Sequence, residues 1–194
     1  MAVILNRTVE LFSETTGEPV TLEEAKSHIR VVANDENAHI QQLIKVARKQ
    51  VEADARRKYV RAVYKIRDRA FPCADEYPLE WPTVEGITSV SYTASTGNTV
   101  SLSTSVYELD ANETPGFVRL RYNQNWPTTR DVQNAVITTI TCGSTAPQTN
   151  TPVEAKQAIL LMIDDMYCNR GLCGCGGTDA YSRLIGMLRW GDYR

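Results

Sequence analysis

The first third of the chain has hydrophobic residues at the intervals of two amphipathic helices. Thr21 and Glu24 have the spacing of a capping box, in which each residue bonds a free amide at the start of a helix. Apolar positions three or four residues apart then form one helical face: Leu22, Ala25, Ile29 and Val32. After an Asn34–Asp35 turn, a second face follows: Ile40, Leu43, Ile44, Ala47, Val51 and Ala55. Two such helices are expected to pack together as a hairpin, because neither buries its apolar face alone.

The opposite side of the second predicted helix is charged. It is predicted to carry the following residues on a polar, solvated face: Lys45, Arg48, Lys49, Glu52, Arg56 and Arg57.

From about Tyr59 the hydrophobic period changes to two, which is typical of a half-buried strand. A passage with three prolines, FPCADEYPLEWP, is typical of turns and edge strands. Short apolar pairs then recur between turn residues, around positions 90–92, 100–102, 107–109, 118–122 and 136–142. This spacing predicts a small antiparallel sheet or sandwich.

The last part of the chain returns to helical spacing. Residues 143–151 are predicted to form a loop, and Thr151, Pro152 and Glu154 have the order expected at the start of a long helix. A last short helix is predicted around Tyr181 to Leu188. The predicted fold class is therefore α+β, with an N-terminal helical part at 1–58, a β insertion at 59–142, and C-terminal helices and tail at 143–194. The helical parts are expected to pack as one body.

The composition is that of a soluble globular protein, with 42% hydrophobic and 23% charged residues among 194. The sequence has neither an apolar run of membrane-spanning length nor a recognisable secretory signal, so no membrane partner is expected. Five cysteines form an odd set, which favours free thiols in a reducing cytoplasm over a disulfide framework.

Charge is segregated along the chain although the net charge is only −2. Residues 45–70 hold ten Lys or Arg and three Asp or Glu, whereas residues 71–118 hold no Lys or Arg and seven acids. Pairing of these two blocks, within one subunit or between neighbours, is the preferred interpretation. The alternative is a nucleic-acid-binding module that uses segment 45–69 to neutralise phosphates. On the preferred interpretation, the interface includes Arg56, Arg57, Lys58, Arg61, Glu80 and Glu85.

Reactive side chains form no recognised catalytic motif, so no catalytic, cofactor-binding or metal-binding residue is predicted and the chain is not expected to be an enzyme. Cys168, Cys173 and Cys175 lie close together in sequence, but their spacing is not that of a zinc site and no fourth ligand lies nearby. His28 and His39 follow acidic residues by four positions, which favours salt links on a helix face over acid–base catalysis.

Three stretches, taken in order, resemble the head–tail connector (adaptor, or head-completion) family of long-tailed DNA phages, in its longer version with a β insertion. They are VTLEEAKSHIRVVANDENAHIQQLIKVARKQVE, the β region with Tyr107–Asp110 and Trp126-Pro127 ahead of AVITTITCG, and TPVEAKQAILLMIDDMYCNRG. The sequence departs from the family in the cysteine- and glycine-rich segment 168–177.

The resemblance implies a homo-oligomeric ring, usually of twelve copies, between the portal protein and the tail or its terminator. Such a ring lies in the virion neck around the DNA channel, with non-specific DNA contact at most, and its subunits are made in the host bacterial cytoplasm. The family has no catalytic residues. The C-terminal Trp190, Tyr193 and Arg194 are expected to dock on a neighbouring copy or a partner ring.

Overall fold

The computed structural model describes residues 7–79, 84–111, 116–169 and 179–189. The chain divides into two compact units, each built from two separate segments. A helical unit comprises residues 16–60 and 144–194, and a β unit comprises residues 1–15 and 61–143. The predicted α+β class with an inserted antiparallel sheet is confirmed.

The helical unit contains five helices in its described part. They are α1 (Leu22–His28), α2 (Asn37–Ala55), α3 (Pro147–Asn150), α4 (Val153–Asn169) and α5 (Asp179–Leu188). The apolar faces of α1, α2, α4 and α5 meet in one core, which includes Ile40, Ile44 and Val51 of α2 and Ile159 and Ile163 of α4. Tyr181, Ile185 and Leu188 of α5 complete this core. No helix of the described residues is long and apolar enough to cross a bilayer.

The predicted capping box begins α1. The Glu24 amide donates to Thr21 Oγ1 at 3.1 Å, and the Thr21 amide donates to Glu24 Oε2 at 2.7 Å. The bond from the Thr21 amide lowers the pKa of Glu24. The helix is shorter than predicted, because Arg30 adopts a left-handed conformation (φ 58°) directly after it. Val32 therefore lies outside the helix and is 91% exposed, so its predicted place on an apolar helical face is wrong.

Two charged residues of α2 are buried, against the prediction that they lie on a solvated face. Arg48 is 2% exposed and Glu52 is 1% exposed. At 100° per residue, Arg48 lies only about 40° around the helix from the buried Ile44, so both charges flank the apolar stripe. Arg48 donates to Glu52 at 3.0 Å and to Glu18 at 2.8 Å, which satisfies a charge that burial would otherwise destabilise.

The β unit contains two antiparallel sheets in its described part. The strands are β1 (Thr8–Glu14), β2 (Ala62–Asp68), β3 (Glu76–Pro78), β4 (Val84–Thr93), β5 (Thr99–Ser101), β6 (Tyr107–Asp110), β7 (Phe117–Leu120) and β8 (Val136–Cys142). The larger sheet has the order β1-β2-β8-β4-β5, and the smaller has the order β3-β7-β6. Alternate residues of β2, including Ala62, Tyr64 and Ile66, are buried in a core shared with Tyr77 and Val118 of the smaller sheet.

The predicted strand positions after residue 59 are confirmed, and β3 is the edge strand expected in the proline-containing passage. The prediction of a helical part over residues 1–58 misses strand β1, which belongs to the β unit. Strand β1 lies at the edge of the larger sheet and pairs with β2, and most of its residues are exposed. Its sequence therefore lacks the strict apolar alternation that predicts a half-buried strand. The predicted loop 143–151 contains the short helix α3. Thr151 does not cap α4 with its side chain, because its buried Oγ1 has no hydrogen-bond partner among the described residues.

Replacing Glu52 by alanine is expected to destabilise the protein strongly. The change leaves the Arg48 and Lys58 cations and the Tyr59 amide without their buried acceptor. Breaking a buried ion pair from one side costs about 3–5 kcal/mol in the free energy of unfolding. Chemical denaturation measures this loss, and Glu23→Ala, an exposed change on α1, is the control with an expected effect within about 0.5 kcal/mol. A loss below about 1 kcal/mol for Glu52→Ala would contradict the assigned role of the network.

Candidate interaction surface

The turn after α2 determines where three of the predicted interface residues lie. Arg56 takes the left-handed conformation (φ 53°), and its amide donates to the Ala53 carbonyl at 3.2 Å. The Arg57 amide then donates to the Glu52 carbonyl at 3.0 Å. A residue at this end of a helix is most often glycine, which adopts positive φ without steric strain. Here an exposed arginine occupies the position.

Arg57 and Lys58 are half-buried and bond within the helical unit. Arg57 Nε donates to the carbonyl of Leu188, the last residue of α5, at 2.7 Å. Lys58 Nζ lies 2.9 Å from Glu52 Oε2. Of the three consecutive cations, Arg56 is therefore the one that the fold leaves exposed for a partner.

The remaining predicted interface residues are divided between described and undescribed parts of the chain. Arg61 and Glu85 are exposed on the β unit, where the Arg61 carbonyl accepts a hydrogen bond from the Thr15 amide at 2.9 Å. The other four lie outside the described residues: Glu80, Trp190, Tyr193 and Arg194.

The cysteine segment is described only at its start. Cys168 is exposed, and its thiol donates to Asp164 at 3.4 Å, a bond that raises the pKa of Cys168. Cys173 and Cys175 lie outside the described residues. Within residues 7–79, 84–111, 116–169 and 179–189, no three His, Cys, Asp or Glu side chains form a group suited to a metal ion.

In the part of the chain that the structure describes, the ion pairs found for the basic block use acids from outside the acidic block. Besides the Arg48 and Lys58 pairs already described, Arg67 pairs with Glu10 and Arg69 pairs with Asp131. In the acidic block, Glu76 and Asp110 both pair with Arg119, each at 2.8 Å. These pairs therefore do not join the two blocks, and the exposed cations of the basic block are Lys45, Lys49, Arg56, Arg61 and Arg69.

A groove of about 500 Å³ lies between the end of α2 and α5. Ala53, Asp54 and Arg56 line it from α2, while Tyr181, Gly186 and Arg189 line it from α5 and the residue that follows. The Tyr181 hydroxyl donates to Asp54 Oδ2 at 2.6 Å and joins the two sides. Burial and this bond raise the pKa of Tyr181. Sequence reasoning missed this groove; the only signal was a glycine inside a predicted helix.

Comparison with known proteins agrees with the sequence resemblance. Residues 19–80 match the family model of the phage gp6-like head-tail connector protein, so that resemblance is confirmed. No curated protein gives a significant match. Among solved structures, a chain from the neck of an empty GTA particle, computed with C6 symmetry, has a TM-score of 0.77 at 17% identity. That likeness covers 94% of this chain and 95% of that one.

Two further solved chains are similar to a comparable degree. One comes from the virion of the native gene transfer agent (GTA) particle, with a TM-score of 0.76, 16% identity, and coverage of 93% of this chain and 94% of that one. The other comes from the neck of the native GTA particle computed with C12 symmetry, with a TM-score of 0.74, 17% identity and coverage of 94% of both chains. At these identities the likeness establishes a shared fold over nearly the whole chain.

Arg56→Gly is expected to stabilise the isolated protein. Glycine removes the contact between Cβ and the backbone that disfavours positive φ, so the free energy of unfolding should rise by about 0.5–1 kcal/mol. Urea denaturation measures the change. Lys49→Gly, in the interior of the same helix, is the control and should lose about 1 kcal/mol. A destabilising Arg56→Gly change would show that the arginine side chain supports the fold of the subunit.

Proposed function

We propose that this chain, whose residues 19–80 match the gp6-like head-tail connector family, is a structural ring subunit of the neck of a tailed bacteriophage or a related particle. The observation that carries the proposal is the fold likeness to neck chains of GTA particles over 94% of the sequence. On this proposal the ring has twelve copies, lies between the portal and the tail or its terminator, and continues the DNA channel. The subunit is made in the host cytoplasm and acts in the virion neck without catalytic residues.

The distribution of exposed charge supports a ring of identical subunits. A closed ring requires two unlike surfaces on each copy, because each subunit meets the next head to tail. The described chain offers exposed cations, such as Arg56 and Arg61, and exposed acids, such as Glu85 and Glu108. Exposed charges of opposite sign contribute more to the rate and register of association than to its affinity.

Electron microscopy of the purified chain mixed with the portal protein of the same particle tests this function. The expected result is an additional ring of density on one face of the portal, with portal alone as the control. Symmetry-free classification of that density then gives the number of copies. Failure of the chain to associate with portal or tail components would overturn the proposal.

DNA contact by α2 is a second candidate function, supported by two exposed cations on one helical face. Lys45 and Lys49 are one turn apart and exposed. Each phosphate contact adds about 0.9 to the slope of log affinity against log salt, so two contacts would weaken duplex binding roughly 10-fold between 50 and 200 mM salt.

Titration of a labelled DNA duplex at both salt concentrations measures this dependence. If α2 contacts DNA, the double change Lys45→Glu and Lys49→Glu should abolish binding, whereas Arg183→Glu, an exposed change on α5, should not. Absence of binding by the unaltered chain at 50 mM salt would remove this candidate and leave the ring proposal untouched.

A further inference from the structure

The loop between α1 and α2, residues 30–36, is held in one conformation although it is largely exposed. The Lys26 side chain is buried, and its ammonium donates to Asn34 Oδ1 at 2.7 Å, Asn37 Oδ1 at 3.1 Å and the Val32 carbonyl at 3.4 Å. The Val31 amide also donates to the Lys26 carbonyl at 3.0 Å. Burying an ammonium group is unfavourable unless its hydrogen bonds are met, so these bonds must form together and order the loop.

This ordered loop presents an apolar side chain to solvent. Val32 is 91% exposed, and the neighbouring Ala33 is exposed as well. A single exposed valine is common, but here a buried lysine fixes the backbone that carries it. Asp35 is exposed on the same loop, and the segment 30–36 has a net charge of −1 from Arg30, Asp35 and Glu36.

The groove between α2 and α5 has the complementary properties. Arg56 and Arg189 line it and are both exposed, and with Asp54, which bonds Tyr181, they give the lining a net charge of +1. Its volume of about 500 Å³ exceeds that of the few side chains at the tip of the loop. A Cβ built on Gly186 would meet no heavy atom within 4 Å outside its own helix in the described chain. Glycine weakens a helix interior relative to alanine, and no contact with the described residues requires it there.

The loop and the groove lie at opposite ends of α2. The helix has 19 residues, which at 1.5 Å per residue separates its ends by roughly 28 Å. One subunit therefore carries a projecting acidic, apolar loop at one end of a rigid helix and a basic groove at the other. Such a pair cannot meet within one copy, and two unlike surfaces on each copy are what a head-to-tail ring requires.

We propose that the α1–α2 loop of one copy docks in the α2–α5 groove of the next copy, with Val32 above Gly186 and Asp35 near Arg56 and Arg189. This contact rests on the proposed ring and identifies the two surfaces that close it. The partner is a second copy of this chain, and the interface is heterologous.

Cross-linking within the assembled particle tests the contact directly. Ser182 of α5 is exposed and also lines the groove, so Val32→Cys and Ser182→Cys place one thiol on the loop and one at the groove. A short bismaleimide applied to portal-bound protein is then expected to produce a ladder of covalent multimers. Each single variant and the parent, which keeps the five native cysteines, are the controls. If microscopy shows a ring but the double variant gives no more ladder than the controls, the docking is overturned and the ring function stands. If no ring forms at all, the proposed function itself fails.

Filling the groove provides a second test. Gly186→Trp is expected to lower ring occupancy on the portal at least tenfold, while circular dichroism of the monomer stays unchanged and its melting temperature does not fall. A Cβ at this position meets no heavy atom within 4 Å in the described chain, and replacing glycine favours the helix. Gly186→Ala is the matched control and should assemble normally. Normal assembly of Gly186→Trp would overturn the proposal.

A charge exchange separates docking from general damage. Asp35→Arg and Arg56→Asp are each expected to reduce ring occupancy, and the double variant is expected to recover most of it. A double variant no better than either single one would overturn the assigned pairing.

Ser182→Cys should also react with maleimide in the isolated monomer. Resistance to the reagent would mean that the groove is already covered within the monomer, which would overturn docking by a neighbour.

Discussion

The fold of the helical unit depends on one buried carboxylate. Glu52 accepts hydrogen bonds from the side chains of Arg48 and Lys58 and from the amides of Tyr59 and Val60. A carboxylate removed from water is strongly unfavourable unless its lone pairs are occupied, so these bonds stabilise the observed course of the chain directly after α2. That exit places the Arg57 side chain against the end of α5 and leaves the Arg56 side chain exposed.

The constraint explains why an arginine tolerates a left-handed conformation. Strained backbone persists where surrounding contacts over-determine it, and the Glu52 network does so at Arg56. Arg56, Gly186 and Val32 each depart from what stability of a lone subunit favours: a strained cation, a glycine inside a helix and an exposed valine on an ordered loop. Departures of this kind concentrate where a protein meets a partner.

Local patterns predicted most of the fold, whereas the interaction surface depends on tertiary contacts. The Thr21–Glu24 box and the alternation of β2 are local, because period and capping chemistry act within a few residues. Arg48 and Glu52 were misassigned because a charge beside an apolar stripe is normally solvated, and only the fold supplies Glu18 and Lys58 as partners. The α2–α5 groove joins residues more than a hundred positions apart, which no periodicity within a short window can reveal.

The separation of basic and acidic residues along the sequence therefore does not correspond to ion pairs between the two blocks among the described residues. Arg48, Lys58, Arg67 and Arg69 of the basic block meet acids from outside the acidic block. Cations that pair inside the subunit are less available to a neighbour, so the proposed ring contacts depend on the charges that the fold leaves exposed. The buried network takes up Arg48 and Lys58 of this block and leaves Arg56 exposed. On the proposed ring, exposed charges at fixed positions disfavour a shifted neighbour, because a shift brings like charges together.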